Sequence, residues 1–395
     1  MALTPVLPHV PLAGPLSLDD VFPVFATIWG LAVVLVQRRP IRVLPLAAAL
    51  AVVVVGTVVS AVGGGQMSTL LSGTMRWTQV LAVVVLAATL IDNARAAAWF
   101  GRAMVAVITG EALFGLIAFA LRWSGPGGYI GIEKFIGYES VARTFPGRIT
   151  GTLGMASTFV AGLFALGLPL AVGFALRSKK RWEQALFAAA SLLTATALFF
   201  TFSRVALVVG GVTAFALLCS RISWKIWAPL VLVTITAVLL TPMRTRLFQD
   251  GNDRLQLWWA GLSMWRDHLF FGVGSGRYMQ ALPEYAKTPA GTAGSTPHNS
   301  IILAGAELGV IAALGLTAAL ALALLVLIPA WRDPDVLMLA LVMGFFSFTA
   351  CAMFANLFFI PSIAMGAWAA AAAAQFNARA WIPLKGPQVR RAANT

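Results

Sequence analysis

Apolar residues fall in long runs along this chain, separated by short polar connections that carry most of the charge. The runs occupy residues 20–36, 43–62, 77–91, 98–121, 151–176, 184–202, 205–220, 226–241, 300–330, 335–354 and 356–376. A bilayer core calls for roughly 20 such residues per helical crossing. The runs are rich in Leu, Ala and Val and lack the two-residue alternation of an outer-membrane barrel strand. Helices also satisfy their own backbone hydrogen bonds, which lipid cannot do for them. The pattern predicts an all-α, polytopic integral membrane helix bundle with 11 clear spans. Ala2 to Leu16, short and broken by prolines, leaves a twelfth span open.

Composition agrees. Of 395 residues, 59% are hydrophobic and 11% charged, against about a quarter charged in soluble domains. Mean hydropathy is +0.86, so most of the outer surface must face lipid. Cys219 and Cys351 both lie inside apolar runs, which argues against a disulfide framework or a cysteine metal site. Met1 to Asp20 has no basic leader and carries four prolines. No cleavable signal peptide is therefore expected, and the first span would direct insertion itself.

Lys and Arg set the expected orientation. Arg38, Arg39 and Arg42, then Arg95 and Arg102, then Arg177 to Arg181, Arg221, Lys225, Arg332 and the tail alternate correctly with the spans. They share a side, which the positive-inside bias assigns to the cytoplasm. The opposite side carries two longer segments, about 122–150 and 242–299. It still holds many arginines, among them Arg143, Arg148, Arg204, Arg254 and Arg277. A persistent excess of arginine on the face where the bias should deplete it points to polyanion binding, phosphates above all. Pairing with lipid headgroups is the plainer alternative.

The chain divides into residues 1–241, an N-terminal bundle; 242–299, a polar outer loop; and 300–395, the last helices and a cytoplasmic tail. In the loop, Leu255, Trp258, Trp259, Leu262, Trp265 and Leu269 recur at helical steps after Asp253, a plausible N-cap. That predicts an amphipathic helix at the membrane interface. Gly272-Val273-Gly274-Ser275-Gly276 follows. No strand precedes it, so it reads as a tight turn and not as a nucleotide loop. His298-Asn299 stands directly before an apolar run. An imidazole there has the pKa range of a general base near neutral pH. Glu111 and Glu307 fall inside spans, where an acid is a functional suspect; a structural ion pair explains either equally well.

Thr201-Phe202-Ser203-Arg204, then Arg254 and Trp258, Gly272 to Arg277, Pro297-His298-Asn299 and Ala306-Glu307-Leu308-Gly309-Val310 together resemble the O-antigen ligase and polymerase superfamily of bacterial polysaccharide assembly. Arg148-Ile149-Thr150-Gly151-Thr152-Leu153-Gly154 looks like a further pattern of that family. The resemblance covers about residues 143–315. It implies 12 transmembrane helices with one large periplasmic loop, in the bacterial inner membrane, with the active site facing the periplasm. It implies a glycosyltransferase whose donor is an undecaprenyl-diphosphate-linked glycan and, in the ligase branch, whose acceptor is the lipid A–core oligosaccharide.

On that basis His298 is the expected general base, and Arg204 and Arg254 are the expected grip on the departing diphosphate. Arg148, Arg143, Arg277, Asn299 and Glu307 are expected at the substrate. Inversion at the anomeric carbon follows from direct attack. The loop has no paired aspartates suited to a metal, so metal independence is expected, and neither a cofactor nor a nucleic-acid partner is. A polymerase and a protein O-oligosaccharyltransferase use the same donor. A lipid-linked glycan transporter is the rival from another class, though no internal repeat supports it.

Overall fold

The computed structural model describes residues 11–13, 16–65, 67–123, 148–149, 157–220, 252–286, 296–332 and 335–379. The apolar run 226–241, Arg143, most of segment 122–150 and the C-terminal tail lie outside the described residues. So do residues 2–10 of the segment offered as a twelfth span. Its remainder includes Pro11–Ala13, which pairs antiparallel with Leu16–Ser17.

The helices follow the apolar runs. They are α1 (Leu18–Val36), α2 (Pro45–Gly63), α3 (Met67–Leu90), α4 (Ala94–Trp123), α5 (Ser157–Arg177), α6 (Arg181–Phe200) and α7 (Arg204–Cys219). In the outer loop come α8 (Asn252–Asp267) and α9 (Tyr278–Tyr285). The chain ends with α10 (Ser300–Leu324), α11 (Leu327–Arg332), α12 (Val336–Ala352) and α13 (Pro361–Arg379). Among the described residues, six helical segments are long and apolar enough to cross a membrane, and four shorter apolar helices accompany them. The architecture is that of a helical membrane protein.

Helix α5 is the central rod, buried without interruption from Val160 to Phe174. It packs between α6, α7 and α12. Small residues bring backbones together where lipid supplies no hydrophobic drive. At Gly56 of α2 a Cβ would lie 2.6 Å from the Ala312 amide of α10, so these two helices touch backbone to backbone. A buried hydroxyl pair, Thr213 Oγ1 to Ser347 Oγ at 2.7 Å, ties α7 to α12.

Polar contacts define the two ends of the bundle. Arg39 pairs with Asp92 at 3.5 Å, and Arg177 pairs with Asp335 at 2.8 Å. The Arg102 guanidinium lies 6.0 Å from the ring centre of Phe174. Arg39, Arg102 and Arg177, assigned above to the basic side, gather with these partners at one end. The turn 201–203, α8, α9 and the start of α10 gather at the other.

Helix α10 is broken. Gly309 has φ 79° and ψ −176°, a conformation open in practice only to glycine. The break frees carbonyls that the connection after α8 takes up. The Val273 amide donates to the Ala306 carbonyl at 2.8 Å and the Gly274 amide to the Glu307 carbonyl at 3.0 Å. In return the Val310 amide donates to Leu269 at 2.8 Å. Ser60 Oγ of α2 closes the junction by donating to the Phe271 carbonyl and, at 3.2 Å, to the Glu307 carbonyl. Irregular backbone at this depth survives because protein groups satisfy it.

At Gly309 a Cβ would lie 2.1 Å from the Phe270 carbonyl oxygen, whereas at Gly276, φ 73°, it would meet nothing within 4 Å. Gly309→Ala therefore carries both strain and clash, and costs upwards of about 3 kcal/mol. Gly276→Ala carries strain alone, about 1 kcal/mol. Thermal melting in detergent checks the difference. Equal melting shifts would mean the junction yields freely.

Candidate functional site

The turn between α6 and α7 is built by its own hydroxyls. Thr201 Oγ1 donates to the Leu198 carbonyl at 2.6 Å and accepts from the Ser203 amide at 3.2 Å. Phe202 between them takes φ 54°, a left-handed value unusual for a bulky residue. The reversal makes Arg204 the first residue of α7. The Ile149 amide donates to the Phe200 carbonyl at 3.1 Å. That bond brings the Arg148 backbone to the turn from which Arg204 projects.

Helix α8 supplies Arg254 from its first turn. The helix begins at Asn252, a residue before the expected Asp253 cap. Its inner face is Leu257, Ala260 and Met264, all buried. Trp265 lies against Gly305 of α10, and Tyr278 Oη donates to the Leu257 carbonyl at 2.7 Å. The outer face shows Leu255, Trp259 and Leu262 to the surroundings. The single apolar face read from the sequence is thus two faces. Trp258 and Trp265 turn partly inward, and Trp258 meets Phe354 beyond α12 at 6.0 Å between centroids.

His298 sits in a pinned segment. Its own φ is 50°. Asn299 caps α10, its Oδ1 accepting from the amides of Ile301 at 3.0 Å and Ile302 at 3.1 Å. On either side, Thr296 Oγ1 accepts from the Asn356 amide group, and Ser300 Oγ donates to the Ala355 carbonyl at 3.3 Å. The turn after α12 therefore grips the chain both before and after the imidazole.

Three elements far apart in sequence bring Arg204, Arg254 and His298 into electrostatic contact. Burial first, then the charge of Arg204, pulls the Arg254 guanidinium below the usual arginine range. Burial first, then the charge of Arg254, holds the His298 imidazole below its ordinary value. Half-buried like charges repel, and an anion lying between the two guanidiniums relieves that repulsion. A neutral imidazole beside such an anion can take a proton.

Arg277, Glu307 and Asn299, also expected at the substrate, have partners within the protein. Arg277 reaches towards α3, where Nη2 donates to Ser68 Oγ at 3.4 Å. The Glu307 carboxylate accepts from the amides of Gly276 at 2.9 Å and Tyr278 at 3.2 Å. Arg76 of α3 is within its electrostatic reach. The acids and amides expected to meet substrate, Glu307 and Asn299, thus have their oxygens engaged by the protein's own backbone. Sequence reasoning missed Ser60 and Asn356 altogether. Asn356 opens the apolar run 356–376, and a lone amide at the head of such a run is the available signal. Among the described residues, no group of three or more His, Cys, Asp or Glu side chains could hold a metal ion.

Residues 189–317 match the family model described as O-antigen ligase. This match supports membership of the O-antigen ligase and polymerase superfamily. The matched segment runs from α6 to the middle of α10, past its break. It contains Arg204, Arg254, Arg277, His298, Asn299 and Glu307, while Arg143 and Arg148 precede it. A search among curated proteins returns no match.

Proposed function

We propose that this protein is an O-antigen ligase, transferring a glycan from a polyprenyl diphosphate to lipid A–core oligosaccharide. The observation that carries this reading is the convergence of Arg204, Arg254 and His298 within the matched segment. Breaking the bond between the anomeric carbon and the diphosphate oxygen leaves the electron pair on that oxygen. Guanidinium forks from Arg204 and Arg254 stabilise the charge as it develops. The acceptor hydroxyl attacks the opposite face of the same carbon, and His298 takes its proton. One C–O bond forms as the other breaks, so the anomeric centre inverts. The proton then leaves His298 for the departing lipid diphosphate or for water.

Arg148, and Arg143 upstream of it, supply further positive charge to the same phosphates. Asn299 acts by capping α10 and so holding His298. The outer face of α8 lies on the lipid headgroups, where Trp259 is suited to the interface. The basic end of the bundle faces the cytoplasm, and the site opens to the periplasm of the inner membrane. Helices α1 to α7, α10, α12 and α13 supply ten of the expected crossings, and α8 and α9 belong to the large outer loop.

Purified protein is to be mixed with lipid-diphosphate-linked glycan and lipid A–core in the presence of a chelator. The expected product is lipid A–core bearing glycan in a ladder, at full rate. Elongated donor with untouched lipid A–core would make the protein a polymerase. Activity that needs a divalent ion would overturn the metal-free mechanism. Movement of donor across vesicles with no transfer would favour the transporter.

A further inference from the structure

Asn356 is 5% exposed and lies beyond the segment that the family model matches. Its amide is fixed through the nitrogen, Nδ2 donating to Thr296 Oγ1. Its oxygen, Oδ1, is buried and has no hydrogen-bond partner among the described residues. The same holds for the indole nitrogen of Trp258. A buried polar atom without a partner is costly, and native folds keep few of them. These two border one place. The turn after α12 carries Phe354, which meets Trp258, and Asn356, which holds Thr296 two residues before His298. Trp258 stands four residues after Arg254 and shares its face of α8. A donor and an acceptor, each without a partner among the described residues, therefore sit on the elements that bring up the base and one arginine.

An N–H donor and a carbonyl acceptor suit hydroxyl groups, which both accept and donate. An anion could use the N–H but is repelled by the carbonyl oxygen, and an apolar group leaves both atoms unpaired. We propose that Asn356 Oδ1 and Trp258 Nε1 form a subsite for sugar hydroxyls beside His298, and that this subsite selects which glycan reacts. The inference rests on the proposed function, which brings sugars from two sources: the glycan of the donor and the core oligosaccharide of the acceptor. Selection is sharp at such a subsite, because a sugar lacking the hydroxyl strands buried polar groups. The anchor on Thr296 ties the subsite to the segment that carries the base, so the bound sugar and the imidazole keep a fixed spacing.

The test reads binding in two matched pairs of ligands. Wild type, Trp258→Phe and Asn356→Ala are titrated in detergent with lipid-diphosphate-linked glycan against the same lipid diphosphate without glycan, and with lipid A–core against lipid A. Phenylalanine keeps a ring beside Phe354 and removes only the N–H. The expected result is that each variant weakens the sugar-bearing member of one pair about tenfold and leaves its sugar-free partner within about twofold. Loss in the first pair identifies the donor as the source of the sugar, and loss in the second identifies the acceptor. Trp258→Phe should melt no lower than wild type, since the deleted N–H gives up no bond within the protein. A clear fall in its melting temperature would mean that the chain itself holds the N–H, and would overturn the proposal. So would equal weakening of both members of a pair, or no change in either pair, which would leave the two atoms to water. Should Asn356→Ala not fold, Trp258→Phe carries the test alone. Because binding is read without turnover, a wild type that shows the expected pattern yet transfers no glycan sinks the ligase reading alone. Glycan transfer by a wild type whose Trp258→Phe variant keeps full affinity sinks the subsite alone.

Discussion

Alanine at His298 lowers glycan transfer by about two to four orders of magnitude while donor binding stays at the wild-type level. In the proposed mechanism the imidazole takes the acceptor's proton, and the change leaves Arg204 and Arg254, the proposed grip on the diphosphate, untouched. Its pH signature is equally definite. Burial, and after it the Arg254 charge, holds His298 below the ordinary imidazole range, which centres on about 6.5. The neutral ring is the active form, so kcat/KM is full above the shifted pKa and falls as pH drops through it. Arg254→Gln removes one of the two causes and should carry the acidic limb to higher pH in whatever activity remains. Steady-state rates from pH 5 to 8 decide the matter. An acidic limb at or above the ordinary value, or a His298→Ala enzyme within tenfold of wild type, rules out the base role.

The arginine pair gives the second large effect. Arg204→Ala or Arg254→Ala is expected to cost about 10²–10³ in kcat/KM, because in the proposed mechanism each removes a donor to charge that grows in the transition state. Lysine at either position keeps the charge but loses the planar fork and restores only part of the rate. Stability should move the other way. Arg254 is half buried and repelled by Arg204, so truncating one partner relieves that repulsion and the melting temperature holds or rises. Melting curves and rates measured on the same preparations separate this from a folding defect. A melting temperature that falls in step with activity would make the pair structural.

Hydrophobic patterning made the helices legible, because a bilayer leaves few other ways to arrange such runs. The runs at 43–62, 184–202 and 335–354 differ from α2, α6 and α12 by a few residues at their ends. The geometry of Arg204, Arg254 and His298 was legible only through motif order, since nothing in spacing says that residues 204, 254 and 298 meet. Other features left weaker traces. Ala306 to Val310 sits inside one apolar run, so the break at Gly309 reads as continuous helix. Its glycine is told from an ordinary helical glycine only by the carbonyl of Phe270 packed against it. The tryptophans misled for a simple reason. Trp258 and Trp259 are adjacent and about 100° apart on a helix, so a wide stripe holds both, yet packing against Phe354 draws one in and leaves the other out. The partners of Glu307 are backbone amides, which carry no side-chain signature at all.

The junction at the α10 break also orders the birth of the protein. A ribosome releases residues 268–276 before residues 306–310, so the plug emerges ahead of the socket it fills. Until α10 arrives, the amides of Val273 and Gly274 have only water to bond. Until the plug docks, the carbonyls of Ala306 and Glu307 enter the bilayer with no protein donor. The junction therefore cannot close before the ninth apolar run is made. Once α10 is in place the seam closes through the Val273, Gly274 and Val310 amides and the Ser60 hydroxyl together.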